Sequence, residues 1–144
     1  MDVISPAEML RGASLRVTAI RLAVLDALVA HPHAEAEVVR ASVADALGSV
    51  SVQSVYDTLN TLRVAEVVRK VEPAGHPARY ELHAHDNHHH LACRSCGKIV
   101  DVPCAVDTMP CMTPLDTHGF VLDEAEVIYW GLCSACREVA AREA

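Results

Sequence analysis

Three amphipathic helical stretches followed by a hairpin, and then short strand-like pieces between two Cys-x-x-Cys pairs, predict an α+β fold in two parts. Residues 1–82 have the element order of a winged-helix DNA-binding domain ending in a hinge. Residues 83–144 read as a small α/β module with a four-cysteine zinc site. The polar, His-rich run from His83 to Asn87 marks the boundary between them.

The helices are predicted from the spacing of apolar residues. Thr18 is a natural N-cap for a helix to Val29, whose Ile20, Val24, Leu25 and Leu28 recur at three- and four-residue steps, and His31-Pro32-His33 ends it. From Ala34 to Leu47 the helical period returns, with Val38, Val39, Val43, Ala46 and Leu47 expected to face inward. Gly48-Ser49-Val50 is a tight turn, Ser51 a second N-cap, and Val52–Arg63 a third helix with Val55, Leu59 and Leu62 as its buried stripe. Two helices joined through a Gly-containing turn make a helix-turn-helix, in which the later helix enters a major groove. Val67–Val71 and Ala78–Leu82, around a Pro- and Gly-containing loop, form the wing. In the second part, strands are expected near residues 91–93, 99–102 and 126–130, a weak helix over Cys104–Pro114, and a better one from Ser134. A module of this size is marginal alone, so metal and a partner subunit are both expected to hold it.

Charge and composition exclude several classes. The chain has 144 residues, 51% of them apolar, and a formal charge of -7, which argues against a simple cationic nucleic-acid binder. The charge is uneven, however: residues 1–80 carry eight Lys and Arg against nine acids, and residues 81–144 four against ten. The first half can meet DNA through a few placed Arg residues. No apolar run approaches the ~20 residues that span a bilayer, so no membrane partner is expected. The start lacks the basic and apolar regions of an export signal, so the expected compartment is the cytoplasm. Thiols stay reduced there, which favours zinc over disulfides.

The two pairs Cys93-Arg94-Ser95-Cys96 and Cys133-Ser134-Ala135-Cys136 supply four sulfurs, the closed tetrahedral shell of structural zinc. A thioredoxin-like redox motif would need one pair at a helix start after a strand, and that context is missing. Between the pairs and upstream of them lie nitrogen and oxygen donors, which suit a more labile ion. In an extended strand His88 and His90 share one face while His89 points to the other.

The string His88-His89-His90-Leu91-Ala92-Cys93-x-x-Cys96-Gly97, preceded by a winged helix and followed by a second Cys-x-x-Cys, resembles the ferric uptake regulator (Fur) family. So do Arg16-Val17-Thr18, Ser54-Val55-Tyr56-x-x-Leu59 and Arg79-Tyr80-Glu81; the resemblance runs from about Leu10 to Cys136. The segment Asp123–Cys133 looks most like the actinobacterial FurA subgroup, members of which accompany catalase-peroxidase genes. The resemblance implies a homodimer and a metal-activated repressor of an AT-rich inverted repeat of double-stranded DNA. It implies that the second half is the dimerisation domain. It also adds His33, Glu81 and Asp101 to His88 and His90 as ligands of a regulatory ion, a five-coordinate set compatible with Fe2+ or Mn2+. Asp101 resembles the peroxide-sensing branch, where iron-sensing relatives carry Glu, whereas Glu81 looks more like the iron-sensing members. In the peroxide-sensing branch, Fe2+ reduces peroxide and an adjacent histidine is oxidised, here His33 or His88. Cys104 and Cys111 lie outside the zinc quartet, either as peroxide-sensitive thiols or as small buried residues. A third metal site of the family is not expected, because Asn87, His89, Thr108 and Ala125 stand at its positions.

For DNA, Tyr56 is expected against a thymine methyl, with Ser51, Gln53 and Asn60 reaching base edges. The resemblance sends Arg16 into a minor groove, and Arg21, Arg69, Lys70 and Arg79 are expected on phosphates. Asp57 stands where many relatives carry a basic residue. The function expected is a metal-dependent, peroxide-responsive repressor of catalase-peroxidase or oxidative-stress genes; the alternative is an iron- or zinc-responsive repressor of uptake genes. An enzyme is not expected, since saturated ligation leaves no open position for substrate.

Overall fold

A computed structural model describes residues 3–83, 88–106 and 110–143. The chain divides into two compact units, residues 1–84 and 85–144. The His85–Asn87 end of the expected boundary and the Thr108 position lie outside the described residues.

The first unit contains α1 (Pro6–Gly12), α2 (Ala19–Ala30), β1 (Ala34–Glu35), α3 (Ala36–Leu47), α4 (Val52–Val64), β2 (Val68–Val71) and β3 (Arg79–Leu82). The sequence reading missed α1, although Ser5-Pro6-x-Glu8 carries its start signal. Ser5 Oγ accepts from the Glu8 N–H, and Glu8 Oε2 accepts from the Ser5 N–H at 2.8 Å, a reciprocal capping box with Pro at the first helical position. Thr18 and Ser51 cap α2 and α4 as expected, each accepting from the N–H three residues on. Helix α3 begins at Ala36 and not at Ala34, because Ala34 and Glu35 are taken into a strand. Of its expected inward residues, Val39 and Val43 are buried, whereas Val38, Ala46 and Leu47 are exposed. Ala36, Val39 and Val43 lie on one helical face, and Val38 falls on the opposite side; Leu47 continues the buried face but is the last residue of α3, where its side chain stays exposed. Gly48 ends α3 at φ 85° and ψ -162°, a conformation open essentially to glycine alone.

Helices α2, α3 and α4 enclose one apolar core with Leu10 and the sheet residues Val68 and Tyr80. Val24, Leu25, Leu28, Leu59 and Leu62 are almost completely removed from solvent. Each contributes roughly 1.5–3 kcal/mol. The sheet has the order β1-β3-β2, with both pairings antiparallel.

The second unit contains β4 (His88–Cys93), β5 (Ile99–Pro103), β6 (Ile128–Gly131) and α5 (Ser134–Glu143). The sheet order is β5-β4-β6, antiparallel between β4 and β5 and parallel between β4 and β6. The expected helix over Cys104–Pro114 does not form in the described residues there, 104–106 and 110–114. Pro103, Pro110 and Pro114 lack the N–H a helix needs and push their predecessors toward extended backbone. Among the described residues, the buried set here is His89, His90, Ala92, Cys93, Gly97 and Ile99, and α5 buries nothing.

Candidate metal centres and DNA-reading face

Strand register assembles the nitrogen and oxygen donors of each unit. In the first, Ala34 pairs with Tyr80, so the preceding His33 stands opposite Glu81, and His33 Nε2 lies 2.8 Å from Glu81 Oε2. Both are buried. His33 has φ 61°, a left-handed conformation that a non-glycine residue adopts at a cost of about 1–3 kcal/mol. Its carbonyl accepts from Arg79 Nη1 at 3.2 Å, and Arg79 Nη2 lies 3.5 Å from Glu35 Oε1. Arg79, expected on a phosphate, is therefore turned inward and braces the turn that carries His33.

In the second unit His90 is the register partner of Asp101, and His88 lies two residues away on the same face of β4. The Nε2 atoms of His88 and His90 lie 3.6 Å and 3.4 Å from the same Asp101 oxygen. The two rings meet edge to face with centroids 5.0 Å apart. His90 is fully buried, whereas Asp101 is half exposed.

Cys93 closes β4, and the chain turns through Arg94, Ser95 and Cys96. Gly97, at φ 75°, donates to the Cys93 carbonyl at 3.0 Å. Cys133 follows β6 and Cys136 lies in the first turn of α5, so the strand-then-helix context held to be missing in the sequence is present at this pair; the two further sulfurs of Cys93 and Cys96 beside it are what favour zinc over a redox dithiol. All four sulfurs lie within 4.8 Å of one another, with Cys96 and Cys133 Sγ 3.8 Å apart. The backbone N–H of Cys133 donates to Cys93 Sγ at 3.4 Å. That bond, followed by the Cys96 N–H, holds the Cys93 thiol down to about 6, which prepares it as a thiolate. At Cys136 a hydrogen bond with Ser95 works downward, but the neighbouring Cys133 and Cys96 sulfurs and desolvation outweigh it and push the thiol up to about 12. Four converging sulfurs that cannot all ionise together are a donor set suited to zinc, whose charge reverses that repulsion.

The DNA-reading candidates lie in the first unit. Helix α4 buries Val55, Thr58, Leu59 and Leu62, and exposes Val52, Gln53, Tyr56, Asp57, Asn60 and Arg63. Tyr56 is 45% exposed. Gln53 Nε2 donates to Asp57 at 2.8 Å, and Asn60 Oδ1 accepts from Arg63 at 2.9 Å, so both amides are oriented along the helix surface. Ser51 Oγ also donates to Ser54 Oγ, which commits its hydroxyl to the cap. Arg21 donates to the Arg16 carbonyl at 2.7 Å and thereby fixes the segment that presents the exposed Arg16. Arg69 stands on β2 opposite Glu81. Lys70 pairs with Glu72 at 2.9 Å, and this bond raises its pKa.

One cluster was missed in the sequence. His89 Nε2 lies 3.1 Å from Cys111 Sγ, and Cys104 Sγ completes a group whose donor atoms are all within 4.8 Å of one another. Burial, followed by the hydrogen bond with Cys104, raises the Cys111 thiol. Strand alternation predicted that His89 leaves the His88 and His90 face, but no spacing rule announced where Cys104 and Cys111 would meet it.

A winged helix with an open reading face, joined in one chain to histidine, carboxylate and cysteine donor sets, defines a metal-responsive DNA-binding regulator of transcription. The profile of the Ferric uptake regulator family matches residues 12–128, and the chain belongs to that family. It is 58% identical over 130 residues to the transcriptional regulator FurA of Mycobacterium tuberculosis, covering 90% of this chain and 88% of that one. It is 28% identical over 131 residues to the peroxide-responsive repressor PerR of Staphylococcus epidermidis, covering 90% and 86%. The fold matches that of the Helicobacter pylori ferric uptake regulator Fur with a TM-score of 0.68 at 22% identity, covering 89% and 86%. Regulators of this family are dimeric DNA-binding repressors and not enzymes. Among the described residues, no helix is long and apolar enough to cross a membrane.

Proposed function

We propose that the chain is a cytoplasmic homodimeric repressor whose DNA-binding form is set by one exchangeable Fe2+ or Mn2+ ion on His33, Glu81, His88, His90 and Asp101, and whose repression yields to peroxide. Cys93, Cys96, Cys133 and Cys136 hold a permanent zinc. The observation that carries the reading is the pair of ready donor groups: His33 with Glu81 in the first unit, and His88 and His90 with Asp101 in the second. An ion that needs donors from both units binds only the arrangement that supplies them all, so it shifts the population toward that arrangement. By reciprocity, operator DNA tightens metal binding by the same factor.

Held by His33, Glu81, His88, His90 and Asp101, Fe2+ would supply redox chemistry toward peroxide beside these ligands. One peroxide oxygen would be added to a ring carbon of His33 or His88 and the other would leave as water with the hydrogen displaced; the oxidised ring would ligate poorly and the arrangement that binds DNA would be released. Asp101 supports this branch through its likeness to peroxide-sensing members, as does the likeness to PerR. Genes for catalase-peroxidase and other oxidative-stress functions are the expected targets. A second reading, repression of iron- or zinc-uptake genes, is favoured by Glu81 and by 53% identity over 131 residues to ferric uptake regulation protein 1 of Mycolicibacterium fortuitum.

Tyr56, Gln53 and Asn60 would read bases of an AT-rich inverted repeat, Arg16 a minor groove, and Arg21 and Arg69 phosphates; Ser51 would set the pitch of the reading helix. A second copy of the chain fits the second unit's sheet. Val100, Leu91 and Tyr129 form one cross-strand row, and each is close to half exposed. A two-fold dimer matches an inverted repeat.

The test is operator binding titrated with Fe2+, Mn2+ and Zn2+, with and without peroxide, followed by peptide mass spectrometry. The reading expects tight binding with Fe2+ or Mn2+, loss of only the Fe2+ form on peroxide treatment, and an added oxygen on His33 or His88. Clean histidines with unchanged DNA binding after peroxide would leave the uptake reading in its place.

A further inference from the structure

The second unit holds a third donor cluster that neither the zinc quartet nor the proposed regulatory set uses. It stands on the opposite face of β4 from His88 and His90, where alternation turns His89 away from them. His89 is only 3% exposed. Its Nε2 faces Cys111 Sγ at 3.1 Å, and Cys104 Sγ stands within the same 4.8 Å limit. Cys104 follows the end of β5 directly, so the sheet positions two of the three donors.

We propose that His89, Cys104 and Cys111 form a three-donor site for Zn2+ that is separate from the four-cysteine site and exchangeable. The donor chemistry selects the ion: two thiols and one imidazole, with no oxygen among them, suit a thiophilic cation and reject Mg2+, Ca2+ and Mn2+. The donor number sets the lability. Three protein ligands leave the fourth tetrahedral position to water or an exogenous group, unlike the closed four-sulfur shell.

The hydrogen bonding dictates how the site fills. The Val127 N–H donates to His89 Nδ1 at 3.3 Å, so without metal the neutral ring carries its proton on Nε2 and aims it at Cys111. Ligation through Nε2 moves that proton to Nδ1 and releases the Val127 N–H from its long bond. The two thiols each lose a proton to solvent as their sulfurs bind. Binding therefore tightens as pH rises, and the Val127 amide reports the ring's tautomer directly.

Co2+ is the probe, added under anaerobic, reduced conditions to full-length protein carrying its structural zinc. A nitrogen and oxygen site gives no thiolate-to-Co2+ charge transfer, whereas a site with two thiolates does, so the regulatory ion does not obscure the signal. The expected result is one equivalent of charge-transfer absorption, removed by added Zn2+; the diamagnetic Zn2+ form then shows a shift of the Val127 amide resonance that is lost in C104S and C111S. C104S, C111S and H89Q each weaken Co2+ binding by at least about tenfold, the smallest loss that even an outer-shell change brings, with structural zinc content unchanged. Absence of the absorption in the wild-type protein, its persistence in C104S and C111S, or binding of Cu+ without Zn2+ or Co2+ would each overturn the assignment. The wild-type signal and the Val127 shift decide the matter even if H89Q does not fold.

Discussion

The two units solve the same problem with different materials. The first removes leucines and valines from three helices into one core. The second buries histidine and cysteine beside Ala92 and Ile99, and its only helix among the described residues buries nothing. Hydrocarbon burial is indifferent to metal; converging sulfurs and imidazoles are not. On the proposed function, the difference would divide the tasks between a reading head whose fold holds under any metal supply and a sensing half whose order depends on what it binds.

The largest effect expected from this contrast is loss of the four-cysteine zinc. Structural zinc in small peptides is worth about 10–16 kcal/mol, more than the apolar core of the second unit can replace. Cys96→Ser should therefore release zinc, abolish the dimer in analytical ultracentrifugation, and disorder α5, while the first unit's amide resonances stay dispersed. Next comes the opposite lesion. Leu59→Ala should cost the first unit about 2–5 kcal/mol in denaturant unfolding, with zinc content unchanged; a fall in zinc content would show that the two supports are not independent. The smallest effect is expected where the first unit serves metal. Arg79→Gln removes a charged donor from the His33 carbonyl, and such bonds are worth about 1.5–3 kcal/mol. Mn2+ affinity should fall while the thermal midpoint moves only a few degrees, and Arg79→Lys should restore part of the affinity.

Legibility followed the same division. Helices α2 and α4 and the wing were readable because apolar spacing and the Thr18 and Ser51 caps act locally. Histidine alternation likewise gave the shared face of His88 and His90. What stayed hidden depends on pairing across distance. Strand β1 is two residues long, too short for a pattern, yet its register with β3 brings His33 to Glu81. Arg79 looked like a surface cation because nothing in sequence reveals that its partner is a carbonyl many residues upstream. The cluster of His89, Cys104 and Cys111 was hidden for the same reason. The overlooked α1 is a different case, since Ser5-Pro6-x-Glu8 is a local signal. The weak helix expected over Cys104–Pro114 is absent from its described residues, where Pro110 and Pro114 are themselves a local signal against it.

Residue-resolved hydrogen exchange of the full chain, before and after zinc is stripped by a chelator with a mild thiol reagent, tests the contrast most directly. The account predicts that amides of β4, β5, β6 and α5 lose protection while those of α2, α3 and α4 keep theirs. Equal loss in both units, or full protection of β4 and β6 in the zinc-free protein, would contradict it.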